Sequence, residues 1–489
     1  MITAFLIFWP LVASVLVFAF HSYAKPIALT ASIIELVVSI VAAVNFIPDS
    51  STQYSINYGW IQSVGINFHV GIDGISLLLV LLTTFLIPFI ILSSFSTNYK
   101  NPSVFYGLIL LMQMALVGVF VSLDGFLFYL FWEMALIPVY FICLIWGGED
   151  RGAITLKFFI YTLAGSLLML IALVYLYFQT PGQHSFDIQQ LYAAGRSLPV
   201  REQGILFWAF FIAFAIKMPV FPFHTWQPDT YNVAPVQGTM LLSAIMLKMG
   251  IYGVIRWLIP MVPYGVQTWG ESAIVLSVVG IVYASCIALV QKDFKRLLAY
   301  SSIAHVGLIS GGIFTLSKIG MQGAMIQMLS HGLLVFALFY LVDIIVVRTK
   351  TKVIKQLGGI RSQAPIFTTI FLIVMLGSIA LPFTSGFVGE FLLINSLVKY
   401  QLGLGIAAGL TTILGAVYML RAFQKSMLGE TGENTSSFMD LTTQEKLVLY
   451  PMVVLILVIG VYPTPFLKIS ETAVNNLLTI VTNYLALVK

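Results

Sequence analysis

Long apolar runs, separated by short polar connections, divide this chain almost from end to end. A helix needs about 20 apolar residues to cross roughly 30 Å of hydrocarbon, and fourteen stretches meet that requirement: 2–20, 27–47, 75–92, 105–121, 126–146, 156–177, 205–225, 236–257, 273–290, 297–314, 321–347, 366–398, 404–423 and 447–462. The pattern predicts an all-α polytopic membrane protein. In the connection 49–68, the alternation of Tyr54, Ile56, Tyr58 and Trp60 has the period of a strand and predicts a short hairpin. The tail 473–488 reads as a surface helix or as part of another span.

Two spans are interrupted. After Lys217, Pro219 and Pro222 remove backbone donors three residues apart, and in the twelfth span the run from Leu381 through Pro382, Gly386 and Gly389 to Glu390 is comparable. A single kink filled by neighbouring side chains would explain one of them. Two breaks five spans apart suggest more, because a repeat displaced by an odd number of helices crosses the membrane in the opposite sense. This predicts two inverted five-helix repeats, each with a broken helix. The expected divisions are an N-terminal three-helix region with the hairpin (1–103), a first repeat (104–258), an inverted second repeat (259–428), and a C-terminal helix and tail (429–489).

Composition agrees with the hydrophobic pattern. Charged residues are 9% of the chain and hydrophobic ones 59%, against roughly 25% charged in a soluble domain. The net charge of +5 is scattered through connections instead of forming a stripe beside aromatics, which argues against nucleic acid. Cys143 and Cys286 fall in apolar spans without metal or redox spacing and are expected to be small buried hydrophobes. Met1 to Phe20 lacks a charged n-region and a small-residue cleavage site, so the first segment is expected to remain as a span. Alternate connections carry Lys25, Lys100, Arg151, Lys292, Lys295, Arg296, Arg348 and Lys446, which places them in the cytoplasm. With an even number of spans, both termini are expected outside it.

Against this background six ionisable side chains stand out within the spans: Glu133, Lys217, Lys248, His305, His331 and Glu390. A charge at the bilayer centre costs at least about 2.5–3.5 kcal/mol, so such groups face a bundle interior or a wetted cavity. Carboxylate, ammonium and imidazole are the chemistry of a proton relay. Lys moves toward neutrality on desolvation, and imidazole takes a proton on one nitrogen and releases it from the other. Five of them have a plainer alternative. Glu133 could be interfacial, Lys248 could snorkel on its four-carbon stem, the histidines could hydrogen-bond neighbouring helices, and Glu390 could cap the helix that restarts after the second break.

The run Phe131-Trp132-Glu133-Met134-Ala135-Leu136-Ile137-Pro138, the stretch from Lys217 to Trp226, Leu247-Lys248-Met249-Gly250, the segment around Lys292 to Gly307, and Ser330-His331-Gly332 resemble the antiporter-like membrane subunits of respiratory complex I. The resemblance covers nearly all fourteen spans, with several motifs in the same order. That family includes three paralogues, chains L, M and N, and subunits of multisubunit cation/proton antiporters. Glu390 at the second break, where L and N typically carry Lys, and the short segment after Tyr462 bring this chain closest to the M branch.

The resemblance implies a proton-translocating subunit of NADH:quinone oxidoreductase, driven by quinone reduction elsewhere in the complex. In it Glu133 would partner Lys217 as a gate, since separating opposite charges weakens the hold of Lys217 on its proton. Lys248 would be the central relay lysine, His305 and His331 would carry the proton onward, and Glu390 would exchange it with the outside. No metal or cofactor is expected in this chain: it has no Walker loop, no GxGxxG after a strand and no cysteine set for an iron–sulfur cluster. NADH, FMN, iron–sulfur clusters and quinone are expected in partner subunits. The expected partners are other complex I membrane subunits, especially the L-like and N-like paralogues, together with the lipid bilayer and protons. The expected location is an energy-transducing membrane, the bacterial inner membrane. A subunit of a multisubunit cation/proton antiporter, or a non-transporting assembly subunit, would be the alternatives. Among the remaining charges, Asp73 reads as a helix N-cap. Asp343 is expected to pair locally, and Arg151, Lys157 and Lys295 to do the same or to form a vestibule. His224 is close enough to the first break to be wetted, and His21, His69 and His184 are expected to face water.

Overall fold

A computed structural model describes residues 1–487 of the chain. Twelve uninterrupted helices are long and apolar enough to cross a membrane. The two interrupted spans, Val200–Lys217 followed by Gln227–Val233 and Pro365–Ser378 followed by Ser385–Tyr400, bring the number to fourteen among the described residues. The protein is a multi-pass membrane protein. Its two broken helices are the seventh and twelfth spans, five apart, and so run in opposite senses.

Both breaks are closed by the same backbone device. Pro219 has no N–H to give the Ala215 carbonyl, so Val220 N–H takes that oxygen at 2.9 Å, and the Ile216 carbonyl left over accepts the Trp226 indole N–H at 2.9 Å. At the second break, Leu381 N–H reaches back five residues to Leu376 O at 3.0 Å, and Ala380 and Phe383 adopt positive φ. Ser385 then restarts the helix with Gly386 packed against the Gly377 carbonyl, where a Cβ would come within 2.1 Å of the oxygen. Only glycine permits that approach.

The spans differ in what they face. Val236–Met261, Phe294–Phe314 and Lys318–Thr349 lie in the interior, almost wholly covered by other helices, whereas Ile2–Ala19, Ala24–Val44, Leu402–Met427 and Thr443–Val461 leave apolar side chains on the outside. That outer surface suits lipid. Cys286, expected to be buried, belongs to it: Cys143 is buried but Cys286 is exposed, on the outward face of Pro263–Val290.

The predicted hairpin forms from Gln53–Ile61 and Ile66–Ile72, antiparallel with Asn57 opposite His69. His69 does not simply face water. Its Nδ1 lies 2.8 Å from Asp187 Oδ2 and pins the hairpin to the start of helix Ile188–Ser197, which Asp187 caps. Burial opposes ionisation of Asp187, but the His69 hydrogen bond and the Gln189 amide hold its pKa below the ordinary carboxylate value. The tail forms a separate helix, Thr464–Leu487, which begins after Pro463 instead of extending the preceding span; residue 488 of the predicted tail lies outside the described residues. Lys318 Nζ to Glu471 Oε1, 2.7 Å, ties this helix to Lys318–Thr349.

Candidate functional site

Lys248 is held by an irregular turn. Residues Leu241–Met246 form a π-helical segment in which Leu247 N–H donates to Leu242 O, five residues back. The Ser243 carbonyl loses its usual donor and accepts Lys248 Nζ instead, at 2.8 Å. A wider turn thus supplies a backbone acceptor for a fully buried ammonium, as π-turns at functional positions often do. The same ammonium lies 2.9 Å from His331 Nδ1 on helix Lys318–Thr349, directed into the bundle interior. The other imidazole nitrogen, Nε2, is 3.1 Å from Ser302 Oγ on helix Phe294–Phe314.

His305, one turn beyond Ser302, faces His331 with ring centroids 6.1 Å apart. On its far side, His305 Nδ1 lies 2.9 Å from Glu390 Oε1, close enough for an ion pair though not aligned for a hydrogen bond. Glu390 Oε2 accepts from Thr412 Oγ1 at 3.4 Å. Glu390 is the sixth residue of Ser385–Tyr400, whose N-cap is Thr384, so it does not cap the restarted helix. A cavity of about 10 Å³ has both imidazoles in its wall, together with Glu390, Ser301, Gln327, Leu338 and Phe339. That is room for about one water, and the orphaned Gln327 Oε1 supplies it with an acceptor.

The first half of the molecule is arranged more loosely. Lys217 ends helix Val200–Lys217, where the negative end of the helix dipole favours a cation. It is 2% exposed, and its ammonium lies 5.3 Å from the centre of the Trp132 ring. Glu133, the neighbour of that tryptophan on helix Gly125–Trp146, is half-buried with Oε1 unpartnered. The two charges make no ion pair within 4 Å among the described residues, and the Trp132 ring lies beside the ammonium instead. Gly250 brings the Lys248 helix onto the end of the Lys217 helix; a Cβ there would meet Phe214 O at 2.7 Å. No direct contact joins Lys217 to Lys248 among the described residues.

The structure therefore brings Lys248, His331, His305 and Glu390 into one line and leaves Lys217 and Glu133 as a separate, unjoined pair. His224 is buried, with Nδ1 unpartnered, and stacks near Phe221 and Tyr283. Lys157 pairs with Asp229 at 3.3 Å and Arg151 donates to Gly147 O at 3.0 Å. Among the described residues Asp343 forms neither a hydrogen bond nor an ion pair within 4 Å, contrary to the expected local pairing; Lys295 acts on it only at longer range. Asp73 caps Gly74–Ser93 through Ile75 and Ser76 N–H, 3.0 Å each.

Two buried charges escape the sequence reading. Asp73 also accepts from Arg256 Nη2 at 2.5 Å; Arg256 reads from sequence as the end of a span. Its own carbonyl, denied a donor by Pro260, accepts the Tyr192 hydroxyl at 2.5 Å. The second is Glu35, fully buried on helix Ala24–Val44 with both carboxylate oxygens unpartnered. One carboxylate in an otherwise apolar span was signal enough to find it.

All six singled-out residues lie within positions 122–460, the segment matched by the family described as NADH:quinone oxidoreductase/Mrp antiporter, TM. NADH-quinone oxidoreductase subunit M of Rickettsia conorii is 41% identical over 485 residues, covering 96% of this chain and 97% of the relative. The subunit M of Rhodobacter capsulatus is 40% identical over 453 residues, covering 90% and 88%. Among solved structures, a chain of respiratory complex I from Thermus thermophilus with bound NADH is 27% identical with a TM-score of 0.91, covering 98% of this chain and 100% of that one. Fold, motif order and relatives agree, and the chain belongs to the NADH:quinone oxidoreductase/Mrp antiporter transmembrane family.

Proposed function

We propose that this chain is the subunit M-type proton-translocating membrane subunit of NADH:quinone oxidoreductase, carrying protons along Lys248, His331, His305 and Glu390, with Lys217 and Glu133 as the gate. The observation that carries the reading is the two 2.9 Å contacts, Lys248 to His331 and His305 to Glu390, on either side of a cavity with room for one water. Lys248 can hand a proton to His331 Nδ1 while His331 releases one from Nε2; His305 receives it across the cavity and passes it to Glu390, whose two oxygens face His305 and Thr412. Each donor meets an acceptor within hydrogen-bond reach or one water away. Inverted repeats at 104–258 and 259–428 would supply the two half-paths, with Lys248 of the first meeting His331 of the second.

On this reading NADH, FMN, iron–sulfur clusters and quinone belong to partner subunits, and the L-like and N-like paralogues are the neighbours in the membrane. Relatives from Rickettsia conorii and Rhodobacter capsulatus support a bacterial inner membrane, and the distribution of Lys and Arg among the connections supports both termini outside the cytoplasm. Co-purification with NADH dehydrogenase activity distinguishes this assignment from a free-standing cation/proton antiporter. In the purified, reconstituted complex, Lys248→Met and His331→Leu should assemble but lower the number of protons moved per NADH oxidised. Normal stoichiometry in both would remove the relay.

A further inference from the structure

On the side of the molecule read as cytoplasmic, the ends of Pro263–Val290 and Leu402–Met427 and the segment around Ile354–Gln356 enclose a pocket of about 310 Å³. Four cations line it: Lys292, Lys355, Arg421 and Lys425. None of the four makes an ion pair or a side-chain hydrogen bond among the described residues, and no carboxylate lines the pocket. The nearest acid in sequence, Asp293, is already committed to Lys352 at 3.2 Å and to the Arg296 amide. Four unpaired positive charges around one hollow repel each other unless an anion joins them. Arg421 and Lys425 are one helical turn apart on a single face, so their charges converge.

The rest of the wall is apolar. Leu289, Val290 and Ile354 lie in it, Val290 is 72% exposed, and the pocket sits at the ends of two helices whose outer faces are hydrocarbon-like. A free inorganic anion would need no such wall. We infer that this pocket binds the phosphate headgroup of an anionic phospholipid, with the acyl chains continuing over the exposed face of Pro263–Val290. Basic hollows between membrane helices at the headgroup level recognise such lipids by this combination of charge and apolar surface. The pocket also touches the relay. Tyr418 lines it and donates its hydroxyl to Ser301 Oγ at 2.9 Å, and Ser301 stands in the wall of the cavity between His305 and His331. The inference concerns lipid binding and stands apart from the proton path.

The test uses the purified complex, delipidated in detergent and titrated with fluorescent phosphatidylglycerol or phosphatidylcholine. A saturable site for phosphatidylglycerol alone is expected. Each lost charge should weaken binding roughly fivefold, so Arg421→Gln with Lys425→Gln should lower affinity about 25-fold. Lys292→Gln with Lys355→Gln, both in a connection, should do likewise and serves if the helix pair fails to assemble. Lys100→Gln with Lys446→Gln, cations outside the pocket, should leave binding unchanged. Equal binding of phosphatidylcholine, or an equal loss in that control, would reduce the site to general surface attraction and overturn the inference. Full displacement of the lipid by millimolar inorganic phosphate would also overturn it, marking a free-phosphate pocket instead.

Discussion

Single side chains decide most of what this protein can do, and Glu390 shows how. It has one oxygen against His305 and the other against Thr412, so it can accept a proton on one side and release it on the other only while it remains a titratable acid. Glu390→Gln should lower proton pumping roughly a hundredfold, the lower end of what a positioned acid–base group contributes. Glu390→Asp should retain part of the activity, and equal pumping by the two variants would reduce the residue to packing. Glu133 and Lys217 stand apart, with Trp132 facing the ammonium. If the gate works by closing, Glu133→Gln should slow pumping without dismantling the complex, whereas unchanged proton-to-electron stoichiometry would mean the pair is never made. Glu35 has the opposite character. Its oxygens touch no donor, and a buried polar group without a partner costs stability, so Glu35→Leu should leave the unfolding temperature of the purified complex unchanged or raise it. A fall of several degrees would show that the carboxyl has a partner after all.

Elements matter where they depart from regularity. The first break depends on Pro219, whose missing N–H obliges Val220 and Trp226 to satisfy the Ala215 and Ile216 carbonyls. Pro219→Ala returns a donor to Ala215 O and lets the helix run on past Lys217. The expected outcome is an assembled complex with impaired pumping; wild-type pumping would show that the break is not needed. Both breaks were legible in the sequence, because proline and glycine announce lost donors and close approaches directly. The π-helical turn at Leu241–Met246 was not. It is built from Leu, Ile, Ser, Ala and Met, residues equally at home in an ordinary helix, so nothing local signals that Ser243 O will be free for Lys248. Nor could periodicity show that Arg256, apparently a boundary charge, folds inward onto Asp73, since that pairing joins residues 183 positions apart.

At the scale of the whole molecule, the spans and their order follow from hydrophobic runs alone, while the line from Lys248 to Glu390 depends on four helices meeting in the interior. Apolar length fixes how many times the chain crosses, but only packing decides that His305 and His331 face each other and that Glu133 and Lys217 do not touch. The hollow between the imidazoles then has a consequence for selectivity. An alkali cation crosses a protein only where several oxygens replace its hydration shell at once, and a space of about 10 Å³, room for one water, is too small to admit a cation with its hydration shell, although Ser301, Gln327 and Glu390 stand in the wall beside Leu338 and Phe339. On the proposed path, charge would pass this point by exchange of hydrogen among nitrogen and oxygen atoms, with no ion travelling through. Replacing sodium by potassium or choline on both sides of a reconstituted membrane should therefore leave the pumping rate unchanged, and a rate that tracks sodium would show that charge crosses by another route.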